Sequence, residues 1–314
     1  MAATALTYEK KGPIDIDSRG DLYDKSMDLY IRRQDRTPMQ MMKFFQQETT
    51  DVLQHKLTTW STIFNNPRKL ASDLDPINVE APAPGYDNTI TVNTYANSAV
   101  VTETMAKIDR SGMIGQIQNG LLESGRKFIE MLLANVINTG TATAGADGSY
   151  LFANDHYQED PSAGTWSNIE TGAALTSTTF ATMRLNMRKQ RNEKGLVMGN
   201  KLVKIVGPLD LEETLIKIAG SDKVPETGLN ATNPWKGVNY EVLDYLTSTT
   251  AWFGIGDLPQ AMNGLHYVVL TAPNVRRLAF PSSAYPLIKA GWMIHMQVNA
   301  GGSQLRNWRR NAGA

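Results

Sequence analysis

The stretch from Gly112 to Gly140, GMIGQIQNGLLESGRKFIEMLLANVINTG, constrains the fold more than any other. Ile114, Ile117, Leu121, Phe128, Leu132 and Val136 recur at helical spacing, and Met113, Leu122, Ile129, Leu133 and Ile137 widen the stripe. A helix of this length spans about 38 Å at 1.5 Å per residue. An apolar face so broad must be covered by other parts of the chain. Asn138-Thr139-Gly140 predicts the stop, with Gly140 free to take the left-handed conformation. Gly115, Gly120 and Gly125 each cost about 1 kcal/mol against Ala. They point to a closely packed neighbour or a bend. A central helix of an ordinary α/β domain explains this stretch alone; the flanking segments shift the reading.

The 314 residues allow one large domain or two modest ones. Charge is balanced, with 31 Lys and Arg against 31 Asp and Glu, so no overall pull toward nucleic acid or anionic lipid is indicated. The balance fails locally: after Asp257 there is no acidic residue, while Arg276, Arg277, Lys289, Arg306, Arg309 and Arg310 follow. The chain has no Cys, which excludes disulfides, thiolate zinc sites and Cys nucleophiles. The opening MAATALTYEKKGP lacks the apolar core of a signal peptide, and no run approaches the length of a membrane span, so a soluble protein made in a cytoplasm is expected.

Residues 1–37 alternate in charge and carry few apolar side chains, the pattern of an arm ordered only against something else. Pro38 predicts a helix from Thr37 to about Phe64, with Met41, Phe44 or Phe45, Val52, His55 and Ile63 at loose helical spacing. Residues 66–105 turn β-branched. Thr89–Tyr95 alternates with strand period, and Val100–Thr104 is a second candidate strand. A hairpin so poor in large apolar residues is marginal alone and is expected to lie on another subunit. After the long helix comes a glycine-rich loop, Thr141–Thr176, holding GSYLFANDH (148–156) and GTWSNI (164–169). A helix follows at 177–193, capped by Ser177 or Thr176, with Gly195 past its end. Then come a strand at 202–206, a helix at 209–219 with Leu211, Leu215 and Ile218 on one side, and a loop at 221–238. Strands are expected near 239–246, 252–256, 267–272 and 291–298, and the tail GGSQLRNWRRNAGA reads as a short extended piece with a free end.

Motifs of catalysis are sparse. The four His, at 55, 156, 266 and 295, are far apart in sequence. His156 has Asp155, Glu159 and Asp160 nearby, a potential metal or hydrolytic set, although a solvated acidic loop is the favoured reading. His295, inside WMIHMQV, reads as a sheet side chain. No Gly-x-Ser-x-Gly elbow, Walker or Rossmann glycine pattern occurs, and no Lys follows Gly112-Met113-Ile114-Gly115 where a phosphate loop requires one.

The order arm, hairpin, long helix, mixed α/β and closing strand resembles the major capsid proteins of tailed bacteriophages that share the HK97 fold. GSYLFANDH resembles the Gly-x-x-Leu-Phe-x-x-x-His segment of Mu-type major head subunits, through Gly148, Leu151, Phe152, Asp155 and His156. The helix 177–193 followed by LVKIVGPLDLEETLIKIA (202–219) resembles the entry to their axial domain, and WMIHMQVNAGGSQLRNWRR (292–310) their closing strand and basic tail. The resemblance covers about residue 66 to the end. It implies an α+β, HK97-like capsid fold with an N-terminal arm, an extended β-hairpin (E-loop), a long spine helix, and peripheral and axial domains. Laid on this chain it gives an arm at 1–65, an E-loop at 66–105, a peripheral domain at 106–198 and 276–314 around spine helix 112–139, and an axial domain at 199–275. Loop 221–238, with Pro225, Pro234 and Trp235, becomes the candidate axial tip.

The resemblance implies a structural subunit with no catalytic, cofactor or metal site. It would self-assemble as pentamers and hexamers into an icosahedral shell around phage double-stranded DNA, held non-specifically, and would reach its neighbours through arm and E-loop. A separate scaffolding protein, a portal and room for a decoration protein are expected, with no membrane; the destination is the virion capsid, after synthesis in the host cytoplasm. Arg306, Trp308, Arg309 and Arg310 would meet a neighbouring subunit or the DNA backbone. Lys69 lies near the hairpin, but nothing argues for an isopeptide bond, so a non-covalent shell is expected. The near alternative is an encapsulin-type shell; the alternative of another class is a soluble hydrolase using His156 with Asp155 or Glu159.

Overall fold

The computed structural model describes residues 38–61, 67, 69, 76–77, 79–81, 83–108, 113–158, 164–192, 194–225, 231–259, 262–278 and 287–314. The chain divides into two compact units. One contains Asn97–Glu123 and Val275–Ile294; the other contains Thr37–Ala96, Ser124–Asn274 and His295–Ala314 and holds the hydrophobic clusters described below.

The expected helix at 37–64 does not form. A single 3-10 turn at Met42–Phe44 is followed by β1 (Gln46–Thr49) and β2 (Gln54–Ser61). β-branched pairs at 49–50 and 58–59 oppose helix, and cross-strand partners decide the outcome. The strand segment around 89–95 is broken at Val92 into β3 (Ala83–Thr91) and β4 (Asn93–Thr102). β3 pairs antiparallel with β2, from Gln54↔Thr91 to Ser61↔Ala83, so the hairpin is built with 54–61 and not with 100–104. Helix α1 (Glu103–Ile108) takes up part of that second expected strand.

The long helix is present as α2 (Met113–Asn138). Ile129, Leu133, Ala134, Val136 and Ile137 enter the main core, as its spacing requires. The helix ends where expected, through Thr139 N–H to the Asn135 carbonyl at 2.9 Å. The reason for Gly140 differs, since its φ is not positive. A Cβ there would stand 2.6 Å from the Phe152 ring, so the glycine makes room for the core.

Two larger sheets and two small ladders make up the rest of the β-structure. β5 (His156–Tyr157) and β6 (Thr165–Trp166) form a small ladder, and β7 (Ile169–Glu170) starts the second sheet. Helix α3 (Ser177–Arg188) begins at Thr176, whose hydroxyl accepts from Thr179 N–H while the Thr179 hydroxyl accepts from Thr176 N–H. It stops five residues short of expectation, because the chain turns back on itself, bridging Arg191 and Val197. Gly195, at φ 73°, serves that turn and not the helix end.

β8 (Lys204–Pro208), a 3-10 turn (Leu209–Leu211), α4 (Glu212–Gly220), β9 (Asn239–Leu243), β10 (Trp252–Ile255), β11 (Leu265–Leu278), β12 (Ile288–Gly302) and β13 (Trp308–Asn311) follow. The first sheet runs β1-β11-β12-β4 and the second β7-β13-β10-β8-β9. The tail is thus no free end: β13 pairs antiparallel with β10 and parallel with β7.

Alternation along the second sheet separates two cores. Val206, Phe253, Ile255 and Trp308 face α2 and the first sheet. Ile205 and Trp252 face Phe180, Met183 and Met187 of α3 and Leu215 and Ile218 of α4. Trp235, read as a loop tip, packs edge-on against Phe180 at 5.5 Å with Arg184 over its ring.

Candidate functional site

His156 was the one candidate for chemistry, and the fold buries it completely. Its Nδ1 lies 2.8 Å from Asp147 Oδ2, itself buried, and its Nε2 lies 3.1 Å from Asn168 Oδ1. Asn168 is oriented by the backbone: it accepts from Ala153 N–H and donates to the Leu151 and Leu305 carbonyls. Both imidazole nitrogens therefore face acceptors, and the ring stacks on Trp166 at 4.2 Å beneath Arg306. The expected solvated acidic loop is met at the one member of the set that is described. Asp155 is exposed, and Glu159 and Asp160 lie outside the described residues. This constellation fastens the loop after α2, with His156 fully buried among its partners. Leu151 and Phe152 of the same motif fill the main core. Among the described residues no group of three or more His, Asp and Glu is arranged to hold a metal, and no helix is long and apolar enough to cross a membrane.

The basic tail is corrected as well. Trp308 is core, donating from Nε1 to Asn263 Oδ1 at 2.8 Å. Arg306 is buried against Gln158 Oε1 at 3.0 Å, and Arg309 pairs with Glu170 while donating to the Ser167 carbonyl. Only Arg310 remains of the expected cluster; it lines a small cleft with Asn138 and Ser248, and burial lowers its pKa.

What the fold does present is the paired strands β2 and β3 with a polar base. Glu48 on β1 takes His55 of β2 on one oxygen, at 2.7 Å, and His266 of β11 on the other, at 2.8 Å. Val92 N–H donates to the Leu53 carbonyl at 2.7 Å, closing the ladder. β3 is tied to the body by Asn299 to the Thr91 carbonyl, Asn88 to the Gly302 carbonyl and Tyr86 to the Gln158 carbonyl, at 2.6, 2.6 and 3.0 Å. Lys56 and Asp87 pair across the strands at 2.5 Å, and the Lys56 hydrogen bond holds the Asp87 carboxyl below its usual range. Between the two strands in sequence, Ile77 and Val79 are 75% and 89% exposed.

A second fixed point anchors the start of the described chain. Glu130, fully buried on α2, accepts Gln40 N–H at 3.0 Å and Met41 N–H at 2.8 Å through Oε2. Gln40 and the Asp244 side chain and backbone then bond reciprocally. Sequence reasoning missed Glu48, Glu130, Asp147 and Asn168. A lone carboxylate inside an apolar helical stripe was the available signal for Glu130; the other three meet partners at separations from 7 to 218 residues that follow no local period.

Residues 86–281 match the family described as phage capsid protein. The chain belongs to that family. This capsid protein also shares its fold with solved shells at low identity. The capsid of bacteriophage JBD30, decorated with minor capsid protein trimers, is 12% identical with a TM-score of 0.57, covering 75% of this chain and 100% of that one. The capsid of cyanophage P-SCSP1u is 10% identical with a TM-score of 0.56 over 100% and 99% of the two chains. The SrpI encapsulin of Synechococcus elongatus PCC 7942 is 9% identical with a TM-score of 0.54 over 96% and 95%. No curated protein matches by sequence. The expected HK97-like capsid fold and shell-subunit function hold, and the family match favours the phage shell over the encapsulin-type alternative.

Proposed function

We propose that this capsid protein forms pentamers and hexamers that close into a non-covalent icosahedral shell around double-stranded phage DNA. The observation that carries this reading is the family match over residues 86–281. The hairpin 54–91 acts as the E-loop, with Ile77 and Val79 seated on a neighbour. α2 is the spine of a peripheral domain at 106–198 and 276–314, residues 199–275 are an axial domain toward the local symmetry axes, and the first 37 residues of the expected 1–65 arm reach over an adjacent subunit. The subunit carries no catalysis. A separate scaffold, a portal and a decoration protein are its partners, and it is made in the host cytoplasm.

Sedimentation and negative-stain microscopy of the purified chain, alone and with the products of neighbouring genes, test this. Rings or hollow shells of megadalton mass are expected. A compact monomer under every condition would refute the reading.

A further inference from the structure

α3 and α4 cover the same face of the second sheet, within one compact unit. Met183 and Met187 of α3 sit over Gly254 of β10, whereas α4 lies on β8 and β9. With β9 at the edge of the sheet, each helix keeps an outer flank that the other does not cover.

The two flanks carry opposite charge. At the end of α3 and in the turn after it, Arg188, Lys189, Arg191 and Lys201 are exposed, interleaved with exposed Leu185 and Val197. Arg191 donates to the Gly195 carbonyl, but the side chains of Arg188, Lys189 and Lys201 make no hydrogen bond or ion pair with a described residue. The acidic groups nearby are Asp257, whose carboxylate accepts Lys201 N–H at 2.7 Å, and Glu193, outside the described residues. On α4 and the turn before it, Asp210, Glu212 and Glu213 are exposed, interleaved with exposed Leu209 and Ile216. Glu213 pairs with Lys217 at 2.6 Å, while Asp210 and Glu212 have no side-chain partner among the described residues.

We propose that these flanks are the two halves of one heterologous contact, the α3 flank of one copy against the α4 flank of the next. This rests on the shell-subunit reading and deepens it by naming the surfaces. A nucleic-acid partner would use the cations but would leave Leu185 and Val197 in water. A second copy supplies both complements, acids for the cations and Leu209 and Ile216 for the apolar side chains. A contact between two different surfaces of the same chain repeats head to tail, and closes into a ring when the rotation allows. Opposed charges of this kind set register and partner choice.

A charge-reversal cycle tests the pairing. Arg188→Glu with Lys201→Glu makes both flanks acidic; Asp210→Lys with Glu212→Lys makes both basic. Each pair alone is expected to raise the protein concentration needed for assembly at least tenfold, by light scattering and microscopy. The four changes together restore complementarity in the opposite sense, and assembly is expected to return to within about threefold of the original. Circular dichroism and Tm identify loss of fold, and the matching Gln and Asn variants, milder in charge, cover that case with a smaller shift in the same direction. A combined variant no better than either pair would overturn the proposal. So would reversals that leave assembly unchanged, or an α3-flank reversal that weakens only binding to a short duplex DNA. Failure of the unmodified chain to form any ring or shell would instead overturn the underlying reading and the pairing with it.

Discussion

At the residue scale, buried charge decides where the chain is fastened. Glu130 holds two backbone N–H groups that begin the described chain, from inside an otherwise apolar helix face. Glu130→Ala leaves both donors without an acceptor and is expected to lower stability by about 2–3 kcal/mol, read by urea unfolding. Tyr267 is one residue through which high pH acts, beside Tyr245, whose hydroxyl burial also raises. Burial raises the Tyr267 hydroxyl from 10.0 to about 12. The folded state thus keeps a proton that the unfolded chain gives up, so stability is full below about pH 10 and falls as pH rises to about 12. The loss is expected to reach about 2–3 kcal/mol, and Tyr267→Phe should flatten that limb of the pH–stability curve. His156, legible in sequence as a marked residue, owes its place to Asp147, Asn168 and Trp166, none of which its immediate neighbours announce.

At the element scale, the tail and the hairpin carry the largest differences from expectation. Deleting residues 308–314 would cost little if the tail were a free end. Here it removes β13 from between β10 and β7 and takes Trp308 out of the core. Loss of a buried Trp alone costs about 3–5 kcal/mol, so the truncated chain is expected to be largely insoluble, or to lose its cooperative thermal transition by calorimetry. The hairpin behaves oppositely. Ile77→Ser with Val79→Ser, at positions 75% and 89% exposed, is expected to leave Tm nearly unchanged. A sharp fall in Tm would show that the segment belongs to the fold of the single chain.

For the whole molecule, the same Ile77→Ser, Val79→Ser chain is expected to fold and yet fail to give closed shells, because the exposed apolar side chains are gone. Normal shells from it, counted by microscopy, would remove these side chains from the assembly mechanism.

The sequence by itself determined the long helix, the capped start of α3, the helix after Pro208 and the capsid resemblance carried by Gly148, Leu151, Phe152 and His156. Each depends on neighbours within a turn or two, or on a short motif. Only the tertiary structure decided that 54–61 is a strand, that it pairs with 83–91, and that the basic tail is core. Strand pairing and burial are settled by partners many residues away. Ser61↔Ala83 and Trp252↔Asn311 are bonds between segments whose local sequence does not name the other.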